Sequence, residues 1–132
     1  MASAQANGTV KTVLVIEDSQ VQRLVLSDLL EQEGARVLCA AEGSTGVSMA
    51  QQHQPDAIVL DLEMPGMGGL EACRVLKDNP QTASIPVVVL TAYADRIDAI
   101  LQGFSLGAID FIPKDAFSEK VLLETLRQLG VL

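Results

Sequence analysis

Aromatic side chains are scarce in this sequence. Its 132 residues include three Phe, one Tyr and no Trp, although 48% of the residues are hydrophobic. The core therefore has to be built from aliphatic side chains, which is typical of a buried parallel sheet covered by helices. A chain of this length fits one compact domain and leaves little room for a second.

Basic residues are also few. Nine Lys and Arg stand against 17 Asp and Glu, so the formal net charge is -8. Nucleic acids and anionic membranes carry negative phosphates and repel such a domain, so we expect neither as a direct partner.

Sequence signals for export or membrane insertion are missing as well. Residues 1–9 are small and mostly polar, which predicts a disordered tail rather than a secretory signal. Apolar runs in the sequence are too short to span a bilayer. Cys39 and Cys73 lie in separate apolar segments without a metal-ligand pattern, which indicates free thiols in a reducing cytoplasm.

Short apolar runs alternate with helical patterns through residues 10–132. Ser19 and Gln22 have capping-box spacing at the start of the first helical pattern. Residues 64–69 are predicted as a loop whose glycines let the backbone pass close to a metal. Five strand–helix repeats predict a doubly wound α/β fold, with a parallel sheet between two layers of helices. The predicted strands are residues 10–16, 36–40, 57–60, 87–90 and 108–112, and the predicted helices are about 20–33, 44–52, 70–77, 97–104 and 117–129.

Polar residues follow four of the predicted strands. Glu17 and Asp18 come after the first strand, Asp61 after the third, Thr91 after the fourth and Lys114 after the fifth. Open α/β sheets bind ligands outside the carboxyl ends of their strands. We therefore expect these five side chains to meet at one edge of the sheet.

This set of side chains has the chemistry of a phosphoryl-transfer site. Three carboxylates repel one another unless a cation intervenes, and their oxygens suit Mg²⁺. Lys114 adds a positive charge, and the Thr91 hydroxyl is able to donate a hydrogen bond to an oxyanion. A carboxylate nucleophile beside a divalent cation, an ammonium group and a hydroxyl predicts transfer of a phosphoryl group onto an aspartate.

Four segments carry a resemblance to a known family. They are VLVIEDS (13–19), IVLDLEMPGMGGLE (58–71), PVVVLTAYA (86–94) and GAIDFIPK (107–114). The chain resembles the receiver domains of bacterial two-component response regulators, in particular chemotaxis-type regulators, over about residues 12–129. The resemblance implies a flavodoxin-like (βα)5 three-layer sandwich with strand order 2-1-3-4-5, and a receiver domain spanning residues 10–132.

The resemblance also implies roles for the site residues. Asp61 would be the phosphoacceptor. Mg²⁺, or Mn²⁺ in its place, would be held by Asp18, Asp61 and the backbone carbonyl of Glu63, with Glu17 acting through a water molecule. Thr91 and Lys114 would contact the phosphoryl oxygens. The protein would catalyse its own phosphorylation and dephosphorylation without acting on an external metabolite.

Switching and partners are further implications of the resemblance. Phe111 occupies the position of the aromatic switch residue, which turns inward when the residue at Thr91 moves towards the phosphate. Residues 94–129 would form the output face and are where a homodimer is expected. A histidine kinase or histidine phosphotransfer protein would donate the phosphoryl group, and a downstream target protein or output domain would read the change.

The sequence departs from the family at several positions. Glu17 replaces the usual aspartate, and Glu63 and Tyr93 stand where side chains influence how water reaches the acyl phosphate. Asp115 replaces the proline that typically follows a cis peptide bond. A cis bond before a residue other than proline costs about 2.5–4 kcal/mol, so we predict a trans Lys114–Asp115 bond. Phe111 lacks a tyrosine hydroxyl, so packing alone would separate its two states.

Other functions fit the sequence less well. A degenerate receiver would act as an interaction module without phosphorylation. A flavin-binding electron carrier needs a glycine- and hydroxyl-rich phosphate loop after the first strand, where this chain has Glu17 and Asp18. An aspartyl phosphatase would need Glu63 as its general acid. The same sequence fits a free-standing regulator and a receiver belonging to a hybrid kinase or a longer regulator.

Overall fold

The computed structural model describes residues 10–62, 68–91, 110–115 (the backbone alone at 110 and 111) and 118–132. The predicted tail at residues 1–9 and the predicted helix at residues 97–104 lie outside these ranges. The division of the chain into a tail and one domain therefore stays a prediction.

Five strands and four helices lie in the described residues. The strands are β1 (Thr12–Ile16), β2 (Arg36–Ala40), β3 (Ala57–Asp61), β4 (Val87–Thr91) and β5 (Asp110–Pro113). The helices are α1 (Gln20–Gln32), α2 (Gly43–His53), α3 (Gly69–Asp78) and α4 (Ser118–Gln128).

Most predicted boundaries agree with the structure within one residue. The first strand is an exception, because it begins at Thr12 rather than at Val10, whose side chain is exposed. The fifth strand extends to Pro113, one residue past its predicted end. The predicted loop at residues 64–69 is wrong at its last position, since Gly69 already begins α3.

All neighbouring strands are parallel, in the order β2-β1-β3-β4-β5. This confirms the predicted sheet order. Two of the three interior strands, β3 and β4, are buried at every position, which explains why each is apolar up to its last residue.

The strands bury two aliphatic clusters, one on each face of the sheet, because successive side chains along a strand point to opposite faces. Leu14 and Ile16 belong to the cluster that packs against α2 and α3. Val13 and Val15 belong to the other cluster, which contains Leu26 of α1 and side chains of α4. Helices therefore cover both faces, as the three-layer prediction requires.

Helix α1 begins as its sequence predicts. Ser19 is the N-cap, and its Oγ accepts a hydrogen bond from the backbone N–H of Gln22 at 3.2 Å. The helix ends at Gln32, and Gly34 then adopts φ 93°, a left-handed conformation that favours glycine. These two signals fix both ends of the helix that follows the acidic pair.

Candidate functional site

Four of the predicted site residues lie at strand ends on one edge of the sheet. Glu17 comes directly after β1, Asp61 ends β3, Thr91 ends β4 and Lys114 comes directly after β5. The parallel register pairs Asp61 with the residue before Thr91, and pairs Thr91 with the residue before Lys114. The sheet topology therefore brings together residues that are nearly 100 positions apart in the sequence.

Three carboxylates form a compact cluster at this edge. One oxygen from each of Glu17, Asp18 and Asp61 lies within 4.8 Å of the other two. Glu17 and Asp61 are each only 3% exposed, whereas Asp18 is exposed to solvent. The cluster thus combines two buried carboxylates with one that faces water, an arrangement that an ion can reach from the surface.

Lys114 is the cation of the cluster. Its Nζ lies 3.1 Å from Asp61 Oδ1 and 3.5 Å from Glu17 Oε2. One ammonium group therefore contacts both buried carboxylates. This compensation is needed because an unpaired buried charge is strongly destabilising.

Burial changes the acidity of Glu17. Desolvation, a hydrogen bond with Asp61 and the negative charge of Asp61 raise the pKa of the Glu17 carboxyl to about 7, against the opposing effect of Lys114. In the metal-free protein, Glu17 is therefore partly protonated near neutral pH and shares a hydrogen bond with Asp61.

Thr91 is fully buried beside this cluster. Its backbone carbonyl accepts a hydrogen bond from the Lys114 N–H at 2.9 Å, which ties the residue after β5 to the end of β4. No peptide bond in the described ranges is cis, so the Lys114–Asp115 bond is trans, as predicted. The lysine is thus placed without the cis bond that the resemblance would suggest.

Three residues singled out in the sequence lie wholly or partly outside the described atoms. Glu63, predicted to offer a carbonyl to the metal, and Tyr93 lie outside the described residues. The backbone of Phe111 lies in β5, paired with Val89 of β4, but its side chain lies outside the described atoms. The roles given to Glu63 and Phe111 stay predictions.

The cluster fits a divalent metal ion. Three carboxylates and one ammonium group leave an excess of two negative charges when all are ionised, and a divalent cation neutralises that excess. Carboxylate oxygens are the ligands that Mg²⁺ prefers, and it binds through few of them while keeping several waters. The exposed position of Asp18 leaves room for those waters.

A family model, the response regulator receiver domain, matches residues 13–127. The chain belongs to the receiver domain family of response regulators. Receiver domains act as phosphorylation-dependent switches, bind Mg²⁺ in their acidic pocket, and work with histidine kinases and output domains.

Individual receivers agree with the family model. Protein PilH of Pseudomonas aeruginosa is 35% identical over 114 residues, covering 86% of this chain and 93% of PilH. The chemotaxis protein CheY4 of Vibrio cholerae has a TM-score of 0.84 at 29% identity, covering 92% of this chain and 99% of CheY4. The receiver domain of a sensor histidine kinase from Pseudomonas aeruginosa, solved with a magnesium ion coordinated in its active-site cleft, has a TM-score of 0.82 at 28% identity, covering 92% and 99% of the two chains.

Receivers occur in proteins of very different length. Several other curated relatives are longer, and this chain covers only 22% to 54% of their full sequences. Within the described part of this receiver domain, no helix has the length and apolar character that crossing a membrane requires.

Two residues that shape the site were missed as site residues by sequence reasoning. Arg23 of α1 reaches back to the turn that carries the acidic pair. A helical side chain points towards the N-terminus of its helix, which brings an arginine one turn into α1 near the preceding turn, but a pattern of residue types does not show which groups it contacts. Gly69 begins α3 directly behind Asp61, where a Cβ atom would collide with the backbone of Asp61 and Leu62. The sequence predicted a loop glycine there that lets the backbone pass close to a metal.

Proposed function

We propose that this receiver accepts a phosphoryl group on Asp61 from the phosphohistidine of a kinase or phosphotransfer protein. The observation that carries the proposal is the position of the Asp61 carboxylate, which is buried, 3.1 Å from Lys114 Nζ and within 4.8 Å of two further carboxylates. With a divalent ion bound at the acidic cluster, a carboxylate that already contacts Lys114 would be set up to attack phosphorus while the incoming negative charge is neutralised.

The roles of the residues follow from their positions. A carboxylate oxygen of Asp61 forms the new bond to phosphorus as the bond from phosphorus to the donor nitrogen breaks. Lys114 offsets charge on the transferring oxygens, and the Thr91 hydroxyl donates a hydrogen bond to one of them. The chain's own residues therefore catalyse the transfer. They would also promote a later attack of water on the phosphorus, which breaks the bond to Asp61, releases inorganic phosphate and restores the carboxylate.

Magnesium is the cofactor that we propose, with manganese as a substitute. Asp18, Asp61 and the backbone carbonyl of Glu63 would hold the ion, and Glu17 would act on it at longer range. When bound, Mg²⁺ supplies positive charge to the phosphoryl oxygens. The residues meet the charge and ligand requirements of Mg²⁺, and a related kinase receiver was solved with magnesium in its cleft.

Phosphorylation would then change the surface. The new phosphoryl group adds charge and acceptor oxygens next to the buried Thr91. We infer that Thr91 moves towards them, that Phe111 follows, and that residues 94–129 carry the change to a target, an output domain or a second copy of the chain. A cytoplasmic location is part of the same proposal.

The donor has to cover the surface around Asp61, because transfer requires direct contact. An apolar stripe on α1 begins three residues after Asp18 and consists of Val21, Leu24 and Val25, which are 70%, 63% and 42% exposed. The first turn of α1 contains no acidic residue, although acidic residues stabilise a helix N-terminus. We infer that this uncharged, apolar surface contacts the phosphodonor.

Mass spectrometry after incubation with acetyl phosphate and Mg²⁺ tests the proposal. We expect one added phosphate in the wild type and none in Asp61→Asn. Asp78→Asn, at a solvent-exposed side chain on α3, is the matched control and should be phosphorylated normally. A wild type that gains no mass would instead favour the degenerate interaction module.

A further inference from the structure

Arg23 contacts the acidic turn in an unusual way. A single guanidinium nitrogen, Nη1, donates to the carbonyl oxygen of Glu17 and to that of Asp18, each at 2.9 Å. The backbone N–H of the same arginine donates to the Ser19 carbonyl, also at 2.9 Å. One residue therefore holds three successive carbonyls between β1 and α1.

These contacts hold the backbone that carries the side chains of Glu17 and Asp18, two residues of the predicted metal site. The N–H of Glu17 is bound to the Ala40 carbonyl of β2 at 3.0 Å, so its peptide group is anchored on the side of the sheet. Arg23 anchors the carbonyls on the side of the helix. Rotating the peptide group after Glu17 or after Asp18 would break a hydrogen bond to a charged donor, which is stronger than a hydrogen bond between neutral groups.

The guanidinium of Arg23 bonds backbone carbonyls and does not pair with the carboxylates of the site. Its hydrogen bonds go to backbone oxygens, whereas Lys114 contacts the side chains of Glu17 and Asp61. The carboxylate of Asp18 therefore keeps its oxygens for an ion. An arginine that paired with this carboxylate directly would compete with the metal.

Other contacts already hold α1 in place. Leu26 and Leu30 bury their side chains in the core, and Arg127 of α4 bonds Glu33 at the far end of the helix at 2.8 Å. Loss of the Arg23 side chain should therefore leave the helix packed. What it should loosen is the turn that carries the acidic pair.

We propose that Arg23 is the positioning residue of the metal site, holding the Glu17–Asp18 turn in the conformation that binds Mg²⁺. This inference rests on the proposed function, because it assumes that the acidic cluster binds the ion. Residues behind metal ligands typically change metal affinity by about 10–100-fold when they are replaced. We expect a loss of at least about tenfold for Arg23→Gln.

The test measures the Mg²⁺ dissociation constant by isothermal titration calorimetry for the wild type, Arg23→Gln, Arg23→Lys and Arg127→Gln. Arg127→Gln is the matched control, since it removes the other guanidinium that anchors α1 but lies away from the site. Arg23→Lys keeps the charge without the planar guanidinium and should restore part of the affinity. Thermal unfolding in EDTA verifies that each variant is folded.

Phosphorylation kinetics give a second readout. With acetyl phosphate as donor, Arg23→Gln should need about tenfold more Mg²⁺ for its half-maximal rate, and its rate should approach the wild-type value at saturating Mg²⁺. A purely structural role for Arg23 predicts instead that Arg23→Gln and Arg127→Gln lose stability while keeping the same Mg²⁺ affinity.

The outcomes separate the two proposals. An Arg23→Gln affinity within twofold of the wild type overturns the positioning role, while Mg²⁺ binding and Asp61 phosphorylation in the wild type keep the proposed function intact. A wild type that neither binds Mg²⁺ nor gains phosphate overturns both. If Arg23→Gln does not fold, Arg23→Lys decides: wild-type affinity there would contradict the need for a bridging guanidinium.

Discussion

Adding one methyl group at Gly69 should displace the end of β3, which carries Asp61. A Cβ atom on Gly69 would lie 2.5 Å from the Leu62 Cα and 3.1 Å from the Asp61 carbonyl carbon, and it would also collide with the Asp61 carbonyl oxygen. Real Cβ atoms essentially never approach closer than 3.0 Å. All three neighbours are backbone atoms, so no side chain is able to move aside and relieve the contact.

The magnitude follows from this geometry. Overpacking of this kind typically costs about 1–3 kcal/mol, and alanine regains up to about 1 kcal/mol over glycine in a helix. We expect Gly69→Ala to lower the free energy of unfolding by about 1–2 kcal/mol, a Tm drop of roughly 4–8 °C for a domain of this size. Displacing the end of β3 by a fraction of an ångström should also slow phosphorylation of Asp61 by about tenfold.

The neighbouring glycine provides the matched control. Among the residues that the structure describes, a Cβ atom on Gly68 would meet nothing within 4 Å, and Gly68 has φ −70°, which suits any residue. Alanine is a poorer N-cap than glycine, but it restricts the unfolded chain, and these effects roughly offset each other. Gly68→Ala should therefore keep wild-type stability and rate.

Chemical denaturation and the rate of mass gain with acetyl phosphate measure both variants. Equal stability and equal rates for Gly69→Ala and Gly68→Ala would refute the reasoning, because they would mean that α3 does not press on the end of β3.

Two further predictions concern the site and its surroundings. In EDTA, the raised pKa of Glu17 should make the free energy of unfolding fall as pH rises from 4.5 to about 7, because the unfolded state releases its proton first. Chemical denaturation of Glu17→Gln should lack this pH dependence. The same pH dependence in the variant and the wild type would contradict the raised pKa of Glu17. Val25→Gln should slow transfer from a phosphohistidine protein donor but not from acetyl phosphate, while Val10→Gln, equally exposed beyond the other end of β1, should affect neither rate. Equal transfer rates for the two valine variants would mean that α1 is not part of the surface that contacts the phosphodonor.

Much of this architecture is predictable because parallel strands carry strong local signals. The run Val87–Thr91 is apolar until its last residue and is buried throughout, so its pattern locates both the strand and the polar residue at its end. Once strand ends are known, the topology forces Asp61, Thr91 and Lys114 to one edge. Convergence of the site therefore follows from the positions of the strand ends and the parallel topology of the sheet.

Which member of the acidic pair is buried was not predictable from the sequence. The resemblance gave Glu17 an indirect role and Asp18 a direct one, but sequence carries no information on which carboxylate is buried. In the structure, Glu17 is the buried member and lies 3.5 Å from Lys114, while Asp18 faces solvent. Glu17 lies directly after the strand, and its side chain, which is longer than that of aspartate, reaches inward.

Backbone contacts were equally invisible in the sequence. Arg23 looks like an ordinary polar helix residue, since nothing in a pattern of residue types indicates that a guanidinium bonds two carbonyls. Gly69 looks like loop glycine, because only the packing of α3 against β3 shows that a methyl group has no space there. Both are tertiary effects that override local interpretation.

The two contacts constrain the site from different elements. Arg23 holds the turn after β1 through its carbonyls, and the close approach of α3 at Gly69 holds the end of β3, where Asp61 lies. Neither residue contributes a carboxylate or a charge to the transferring group. Because Asp18 and Asp61 lie on these two separately held segments, their spacing depends on both contacts at once. Combining Arg23→Gln with Gly69→Ala should therefore weaken Mg²⁺ binding by more than the product of the single effects, since one ion has to bridge both segments.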